Sequence, residues 1–435
     1  MIPPIPIPED YRVSTQHGFL PAELPLTLLP DPYYNKWEAV VANLQALLLS
    51  KRLREVAEGL PVLSTSRLKG EPEWRRAYVL LAFMAHAYIW GGDKPQDRLP
   101  PSISIPLLSV SAYLELPPVA TYAAVCLWNY RPIFPNEPID NIENLSTVNT
   151  FTGSLDESWF YVVSIAIEAR GAPIIPLMLK AIAAARIGDS RVVAECLRSF
   201  AERLDGLCSL LQRMYEACDP HVFYHRIRPF LAGSKNMGDA GLPNGVMYVD
   251  ENGQETWRQY SGGPHRRFLE HVSTVANIRD YVESHRSDRA LCVAFDSCLA
   301  MLRTFRDKHI QMVSRYIIIK SRESRTSSRS ISPRSAPQPI NIAAASTRST
   351  QKGGKPIGQR LRGTGGTALI PFLKQARDET GEPAIDAWAR RLLSNGGDDV
   401  ARLSKLDEHA NGEVEVVGLA GTWAMDDSEG GLCHW

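Results

Sequence analysis

The chain has 435 residues, 44% of them hydrophobic, with 48 basic and 48 acidic side chains and a formal net charge of zero. This length and composition suffice for a large apolar core and predict two domains. The balanced charge, with a pI near 7.1, excludes a global field that would draw the protein to nucleic acid or to an anionic membrane.

Three features of the sequence bear on where the protein resides. The N-terminal stretch MIPPIPIPEDY lacks the basic and apolar regions of a signal peptide. The longest apolar run, Tyr78–Trp90, is shorter than a bilayer span. The seven cysteines are odd in number and form no C-x-x-C pair, which is typical of reduced thiols inside a cell. We therefore expect a cytoplasmic protein without a membrane partner.

The N-terminal part starts with a proline-rich stretch and continues with helical patterns over Asn35–Leu60 and Glu73–Trp90. Prolines punctuate Arg98–Pro118, and we predict that the next helix begins near Val119. A turn-rich segment with three prolines follows at residues 131–149. We predict a smaller N-terminal domain over residues 1–130, with residues 131–149 as the linker.

The C-terminal part is rich in helical periodicity and poor in alternating strand patterns, so we predict a mainly α protein with a large helical domain over residues 150–394. Asp189 provides a helix cap for one of these patterns. The predicted helical segments are Glu157–Arg170, Ile174–Arg186, Asp189–Ala217, Asp219–Leu231, His265–Glu283, Ser287–Lys320 and Ala368–Arg377.

A segment rich in Ser, Arg and Pro, residues 321–362, interrupts this domain and is predicted to be disordered. It is either a solvated surface loop or an Arg-Ser tract of the kind that contacts RNA, and its composition favours the loop. The polar tail, residues 395–435, has no clear pattern.

His309 lies on the apolar face of the last long helix. Apolar residues fall at offsets of −7, −4, +3, +4 and +7 from it, which form one stripe of a helix. Arg303 and Arg306 lie close to that stripe. An imidazole flanked by arginines is either an ordinary core histidine or a ligand to heme iron with cations for the propionates. The offsets correspond to Leu302, Phe305, Met312, Val313 and Tyr316.

Three shorter motifs allow more than one interpretation. The stretch GTGGT at residues 363–367 is either a phosphate cradle without the usual lysine or a hinge able to close over a small ligand. His221 and His225 form H-x-x-x-H, but no third metal ligand is evident. Arg226 and Arg228 are either surface charge or a source of a guanidinium fork for a carboxylate.

Taken in order, several segments resemble the indoleamine 2,3-dioxygenase family, especially its fungal-type members with a long loop and a C-terminal tail. The similarity extends over most of residues 8–390, and its most specific part is the histidine-bearing helix followed by a variable loop and GTGGT. The matching segments are LELPP at Leu114–Pro118, Ser164–Glu168, RPFLAG at Arg228–Gly233, RDKHIQMVSRYI at Arg306–Ile317 and GTGGTALIPFLK at Gly363–Lys374.

The resemblance implies a heme b cofactor, with His309 as the proximal iron ligand and Arg306 near the propionates. It implies that L-tryptophan or a related indoleamine reacts with O2 to give N-formylkynurenine, as in tryptophan catabolism toward kynurenine and NAD. An electron donor would reduce the heme, and we expect a monomer. The other residues that match the family are Ser164 in the distal pocket, Phe160, Phe223 and Tyr122 around the indole, Arg228 at the substrate carboxylate and Thr364 over the amino-acid end.

The sequence departs from the family at one point. Gly262 and Gly263 match the start of a segment that covers the distal side of the heme, but Pro264 matches a later position. A few tens of residues are therefore absent between Gly263 and Pro264. Either the sequence lacks a coding segment of an active enzyme, or the protein is a catalytically impaired heme-binding or sensing paralogue. An interaction protein that uses the Ser/Arg loop is a third hypothesis.

Overall fold

The computed structural model describes residues 3–233, 240–256, 263–321, 348–349, 360–361 and 369–394. Within them the protein is mainly helical, which confirms the predicted fold class. The α-helices are α1 Asn35–Ala42, α2 Leu44–Leu49, α3 Leu53–Glu58, α4 Gly70–Trp90, α5 Pro101–Leu114, α6 Leu155–Gly171, α7 Ile174–Ile187, α8 Ser190–Gln212, α9 Met214–Ala217, α10 Pro220–Val222, α11 Pro264–Val275, α12 Ile278–Ser284, α13 Arg289–Val313, α14 Leu369–Gly381 and α15 Ala387–Ser394.

Shorter elements connect these helices. The π-helical turns are π1 Ala123–Leu127, π2 Phe223–Ile227 and π3 Ser314–Ile319. A 3₁₀ turn, Arg228–Leu231, continues π2. The strands form two-stranded antiparallel ribbons: β1 Tyr130–Pro132 with β2 Leu145–Thr147, β3 Tyr248–Val249 with β4 Glu255–Thr256, and β5 Arg348–Ser349 with β6 Arg360–Leu361.

Helix α4 forms the centre of the N-terminal part. All of its residues from Arg76 to Trp90 are buried, as expected of a helix that is apolar around its whole circumference. The apolar run Tyr78–Trp90 is therefore part of the hydrophobic core. At its start, Arg76 pairs with the buried carboxylate of Glu38 at 2.6 Å and also donates to Asn149 at 2.7 Å. The buried charge of Arg76 is thus compensated across three segments of the chain.

Helix α5 lies inside Arg98–Pro118, a stretch to which sequence analysis assigned no helix, and there the prediction was wrong. Pro101 occupies the first turn, where a missing N–H costs nothing. Pro106 does remove one internal hydrogen bond. The helix forms because it packs against α4 and β3 and buries apolar residues on both sides of Pro106, a tertiary gain that local patterns do not report.

Long amphipathic helices dominate the C-terminal part, where α8 packs along both α7 and α13. Asp189 accepts a hydrogen bond from the Val192 amide at 3.1 Å, which confirms the predicted cap of α8. The predicted helix His265–Glu283 is divided into α11 and α12, because Ala276 adopts an extended backbone conformation. Side chains of α8, α12 and α13 form a separate apolar cluster there, with members such as Val193, Leu197, Val282, Leu291 and Phe295.

The main core runs without interruption from the N-terminal helices to α6, π2 and the end of α13. It contains Trp37 and Tyr78 from the first part and Tyr161, Tyr224 and Tyr316 from the second. Among the described residues six cysteines are free thiols, and five of them are buried. Cys433 lies outside the described residues.

Among the described residues, one stretch, Leu155–Ile187, is long and apolar enough to cross a membrane by length and composition alone. It comprises α6 and α7, and these helices are separated by a turn at Ala172. Buried residues of α6, such as Tyr161 and Ile165, belong to the main core. Helices of a protein core share the same length and composition, so the stretch is weak support for a membrane span.

Candidate functional site

The three π-helical turns lie beside residues that the sequence singles out. Tyr122 immediately precedes π1, Phe223 begins π2 and Arg228 follows it, and π3 continues the helix that carries His309. Single π turns are uncommon and occur frequently at functional sites, because they redirect side chains within a helix. The backbone therefore marks the same region as the sequence motifs.

An aromatic cluster joins three elements of this region. The rings of Phe160 on α6 and Phe223 on π2 have centroids 4.9 Å apart. Phe223 in turn makes an edge contact with Tyr316 of π3 at 5.6 Å. Phe160 is only half-buried, although it packs against the main core. The structure thus brings the Phe160 and Phe223 side chains into contact, and their role as walls of an indole pocket stays a prediction.

A polar cluster lies further along α6. Tyr122 donates a hydrogen bond to the Glu168 carboxylate at 3.0 Å, and the Ser164 hydroxyl is within hydrogen-bonding reach of both Tyr122 and Cys126. Ser164 also donates to the Phe160 carbonyl at 3.0 Å. Burial raises the pKa of Glu168 to about 8. Glu168 was not among the site residues predicted from the sequence, although its position four residues after Ser164 on an apolar helix was an available signal.

Arg228 is fully buried, with its guanidinium carbon 5.8 Å from the ring centroid of Tyr224. Arg226, two residues earlier, is exposed. Arg226 is therefore a surface charge, and Arg228 is a charge in the protein interior. A buried guanidinium is stable only with anionic or strongly polar groups around it, whereas water solvates an exposed one.

His86 fixes the segments that carry Tyr122 and Arg228. Its Nδ1 lies 2.7 Å from the Phe230 carbonyl, two residues after Arg228, and its Nε2 lies 2.9 Å from the Ala120 amide, two residues before Tyr122. The tautomer with Nδ1–H satisfies both contacts, since Nδ1 then donates and Nε2 accepts. One neutral imidazole on α4 thus holds both segments. Sequence patterns gave no indication of this role.

We expect the protein to lose stability as the pH falls from 6.5 to 4. Burial lowers the pKa of His86 to about 4 from 6.5, so the unfolded chain binds a proton in this range that the folded chain excludes. The free energy of unfolding is therefore highest above pH 6.5. Below pH 4 it is lower by about 3 kcal/mol on account of His86. Urea unfolding at several pH values measures it. In His86→Gln, the unfolding free energy should fall less steeply as the pH is lowered. An unchanged dependence on pH would contradict the role given to His86.

His309 is half-buried on α13. Of the five apolar residues in its stripe, Met312, Val313 and Tyr316 are buried, and Leu302 and Phe305 are half-buried. None of the described residues forms a hydrogen bond with its imidazole. Burial lowers its pKa, which favours the neutral form at pH 7. A neutral imidazole with an unused lone pair can bind a metal ion.

Arg306 extends toward α14. Its Nη1 donates to the Ala376 carbonyl and to the Thr380 hydroxyl. Arg303 and Arg377, both buried, lie 3.8 Å from the Asp307 carboxylate. This interface holds α14 against the helix that carries His309. Thr364 and the rest of GTGGT lie outside the described residues, as does most of the Ser/Arg-rich segment.

His221 and His225 lie on adjacent turns with ring centroids 4.4 Å apart. In the part of the chain that the structure describes, no group of three or more His, Cys, Asp or Glu side chains could hold a metal ion. The pair therefore has no further ligand from the described residues.

Comparison with known proteins identifies the family to which the chain belongs. A profile of indoleamine 2,3-dioxygenase matches residues 7–264 and 263–383, which is most of the chain. The chain belongs to the indoleamine 2,3-dioxygenase family. This confirms the resemblance found in the sequence.

Several members of the indoleamine 2,3-dioxygenase family are similar over nearly their whole length. Indoleamine 2,3-dioxygenase qulI of Penicillium citrinum is 38% identical, covering 91% of this chain and 95% of the relative. Indoleamine 2,3-dioxygenase of Saccharomyces cerevisiae is 39% identical, covering 87% and 93%. The 6-hydroxytryptophan 2,3-dioxygenase fscD of Fusarium equiseti is 35% identical, covering 85% and 96%.

The match to the indoleamine 2,3-dioxygenase profile divides at residues 263–264, where sequence analysis placed the absent segment. The alignment with the Penicillium relative spans 444 positions, whereas 91% of 435 residues is about 396, so about 48 positions of that relative have no counterpart here. In the structure Gly263 lies so close to the Glu115 carbonyl that an added Cβ would be 2.6 Å from it. Arg267 pairs with the Glu115 carboxylate at 3.1 Å, which anchors α11 after the junction.

Proposed function

We propose that the protein is a heme dioxygenase that adds both atoms of O2 across the C2–C3 bond of L-tryptophan and forms N-formylkynurenine. The observation that carries the proposal is His309, a neutral imidazole without a hydrogen bond among the described residues, in a chain of the indoleamine 2,3-dioxygenase family. The names of the relatives support tryptophan and hydroxylated tryptophan as the substrate class.

The residues present fit a heme b cofactor. His309 would bind the iron, and Arg306, which uses Nη1 for its contacts with α14, would face a propionate with the rest of its guanidinium. When bound, the heme supplies the ferrous iron that activates O2, the part of the chemistry that no side chain can perform. An electron donor would be needed to reduce that iron.

The side chains of the pocket bind and orient tryptophan. Phe160 and Phe223 form an apolar slot that takes the indole ring and excludes water, and Tyr122 closes its side. Arg228 binds the substrate carboxylate in a bidentate manner, and Thr364 covers the amino-acid end. This orientation presents the C2–C3 bond to oxygen and lowers the entropic cost of reaction. Ser164 orders a water molecule or the reacting oxygen through its hydroxyl and is not required as a base.

The proposal extends to the cellular setting of the protein and to its domain organisation. The enzyme is a cytoplasmic monomer that acts in tryptophan breakdown toward kynurenine and NAD, with no nucleic-acid or membrane partner. Residues 1–130 form its smaller domain and residues 150–394 its heme domain, joined by the linker at 131–149. Most of the Ser/Arg-rich segment 321–362 and all of residues 395–435 lie outside the described residues, so the loop and the tail stay predictions from the sequence.

One observation favours a second candidate function, a catalytically impaired heme-binding or sensing protein. The match to the family profile divides at residues 263–264, and the family resemblance implies that the segment absent there would cover the distal side of the heme. An open distal side admits water and loosens substrate orientation. Such a protein would bind heme and still fail to turn over tryptophan.

The experiment that separates the two candidates uses the full chain loaded with hemin and reduced with ascorbate and methylene blue. We expect N-formylkynurenine to accumulate with L-tryptophan and not without it. A normal heme spectrum with no product would establish the second candidate. The same assay on a protein with the absent segment restored from a relative then shows whether that segment limits turnover.

A further inference from the structure

A buried glutamate adjoins the proposed pocket and has no role in the function proposed above. Glu168 is 6% exposed, and one carboxylate oxygen accepts the hydrogen bond from Tyr122. Among the described residues, its second oxygen has no hydrogen-bond partner. A carboxyl group buried with one hydroxyl partner is costly for a protein to retain, and such groups concentrate at functional sites.

The surroundings of Glu168 contain no described basic side chain. The groups that face it are the Tyr122 hydroxyl and the Cys126 thiol of the π1 region, together with Ser164 on its own helix. None of them carries a positive charge that would stabilise a carboxylate. Glu157, on the same helix, differs, because four hydrogen bonds from Phe151, Thr152 and Tyr161 satisfy its carboxylate.

The position of Glu168 links the two sides of the pocket. Phe160, Ser164 and Glu168 are spaced four residues apart and share one face of α6. Tyr122 and Cys126 have the same spacing across the start of π1 and meet that face. The Tyr122–Glu168 bond therefore ties the start of π1 to the face of α6 that carries Phe160 and Ser164.

We propose that Glu168 is a positioning residue that holds the Tyr122 ring in place as a wall of the indole-binding slot. The proposal rests on the proposed function. Because burial raises the pKa of Glu168 to about 8, the group is neutral at pH 7 and ionises above pH 8. A negative charge then appears beside the slot and weakens the binding of the indole ring.

Tryptophan binding should therefore depend on pH through the ionisation of Glu168. If only the neutral form binds, the KM for tryptophan rises above pH 8 and approaches about tenfold for each further pH unit. Glu168→Gln keeps an oxygen that accepts from Tyr122 but cannot ionise, so its KM should lack this rise. Titration of the tryptophan amino group affects both proteins equally, and the comparison removes it.

Two further variants distinguish positioning from mere structure. Glu168→Ala loses the Tyr122 contact and should raise KM about fivefold at pH 7, with kcat changed less, while Glu168→Gln restores the wild-type value. Tyr122→Phe removes a hydrogen bond that lowers the pKa of Glu168, so the rise in KM should move to higher pH. Glu157→Gln is the matched control, a buried carboxyl on the same helix whose loss should reduce thermal stability and leave the KM profile unchanged.

The test measures KM and kcat of the heme-loaded full chain from pH 6.5 to 9.5, with tryptophan affinity by calorimetry. A rise in KM that is equal in the wild type and Glu168→Gln would overturn the proposal. An infrared difference spectrum between these two proteins at pH 7 needs no substrate. It should contain the carbonyl band of a protonated carboxyl, and absence of that band overturns the proposal. Absence of both tryptophan binding and product in the wild type instead contradicts the proposed function.

Discussion

His309→Ala is expected to bind heme at least about 100-fold more weakly than the wild type and to lose the Soret band of a histidine-ligated heme after reconstitution with hemin. The estimate follows because even residues that only orient metal ligands are worth 10- to 100-fold in affinity, and His309 would be the ligand itself. The side chain makes no hydrogen bond with the described residues, so its removal should leave the fold intact.

Hemin titration followed by absorbance measures this effect, and far-UV circular dichroism checks the fold. His221→Ala is the matched control, because His221 is an exposed histidine that the proposal leaves without a role. Imidazole added to His309→Ala should restore part of the Soret band by filling the space of the lost side chain. An unchanged spectrum in His309→Ala would remove His309 from the iron.

Arg228→Ala has the second largest expected effect, a rise of about 100-fold in the KM for L-tryptophan with heme retained. The reason is that loss of a buried, charge-assisted pair costs about 3 kcal/mol. Arg228→Lys should recover only part of this, since an ammonium group keeps the charge but lacks the planar fork. Steady-state kinetics with L-tryptophan and with tryptamine, which has no carboxylate, measure the effect.

Tryptamine provides the internal comparison, because the wild type and Arg228→Ala should bind it equally weakly. Arg226→Ala is the matched control, an exposed arginine two residues earlier, and its KM should stay within twofold of the wild type. If Arg228→Ala keeps the wild-type KM for L-tryptophan, another group holds the carboxylate.

The local periodicity of α13 was enough to predict the face that carries His309. Met312, Val313 and Tyr316 are buried, whereas Leu302 and Phe305, the other two members of the stripe, are half-buried. The cap at Asp189 was likewise predictable from neighbouring residues. By contrast, α5 was missed, since the prolines inside it are local signals against a helix and packing against α4 decides the outcome.

The parts of the site that sequence did not reveal depend on contacts between distant segments. His86 bonds Phe230 across 144 residues and Ala120 across 34, and no motif records either contact. Glu168 carried a weak signal, a carboxyl on an apolar face four residues after Ser164, but only the fold brings Tyr122 to it. The roles of His309, Arg228 and the other predicted site residues all stay predictions. The described contacts of Arg306 are with α14, and Thr364 lies outside the described residues.

Isotope labelling tests the central claim most directly. The heme-loaded full chain, reduced and given L-tryptophan under ¹⁸O₂, should form N-formylkynurenine that carries two labelled oxygen atoms, as measured by mass spectrometry. Both atoms must come from the same O2 molecule if the protein cleaves the C2–C3 bond as a dioxygenase. Product with one label or none, or heme-loaded protein that consumes no oxygen in the presence of tryptophan, would contradict the account.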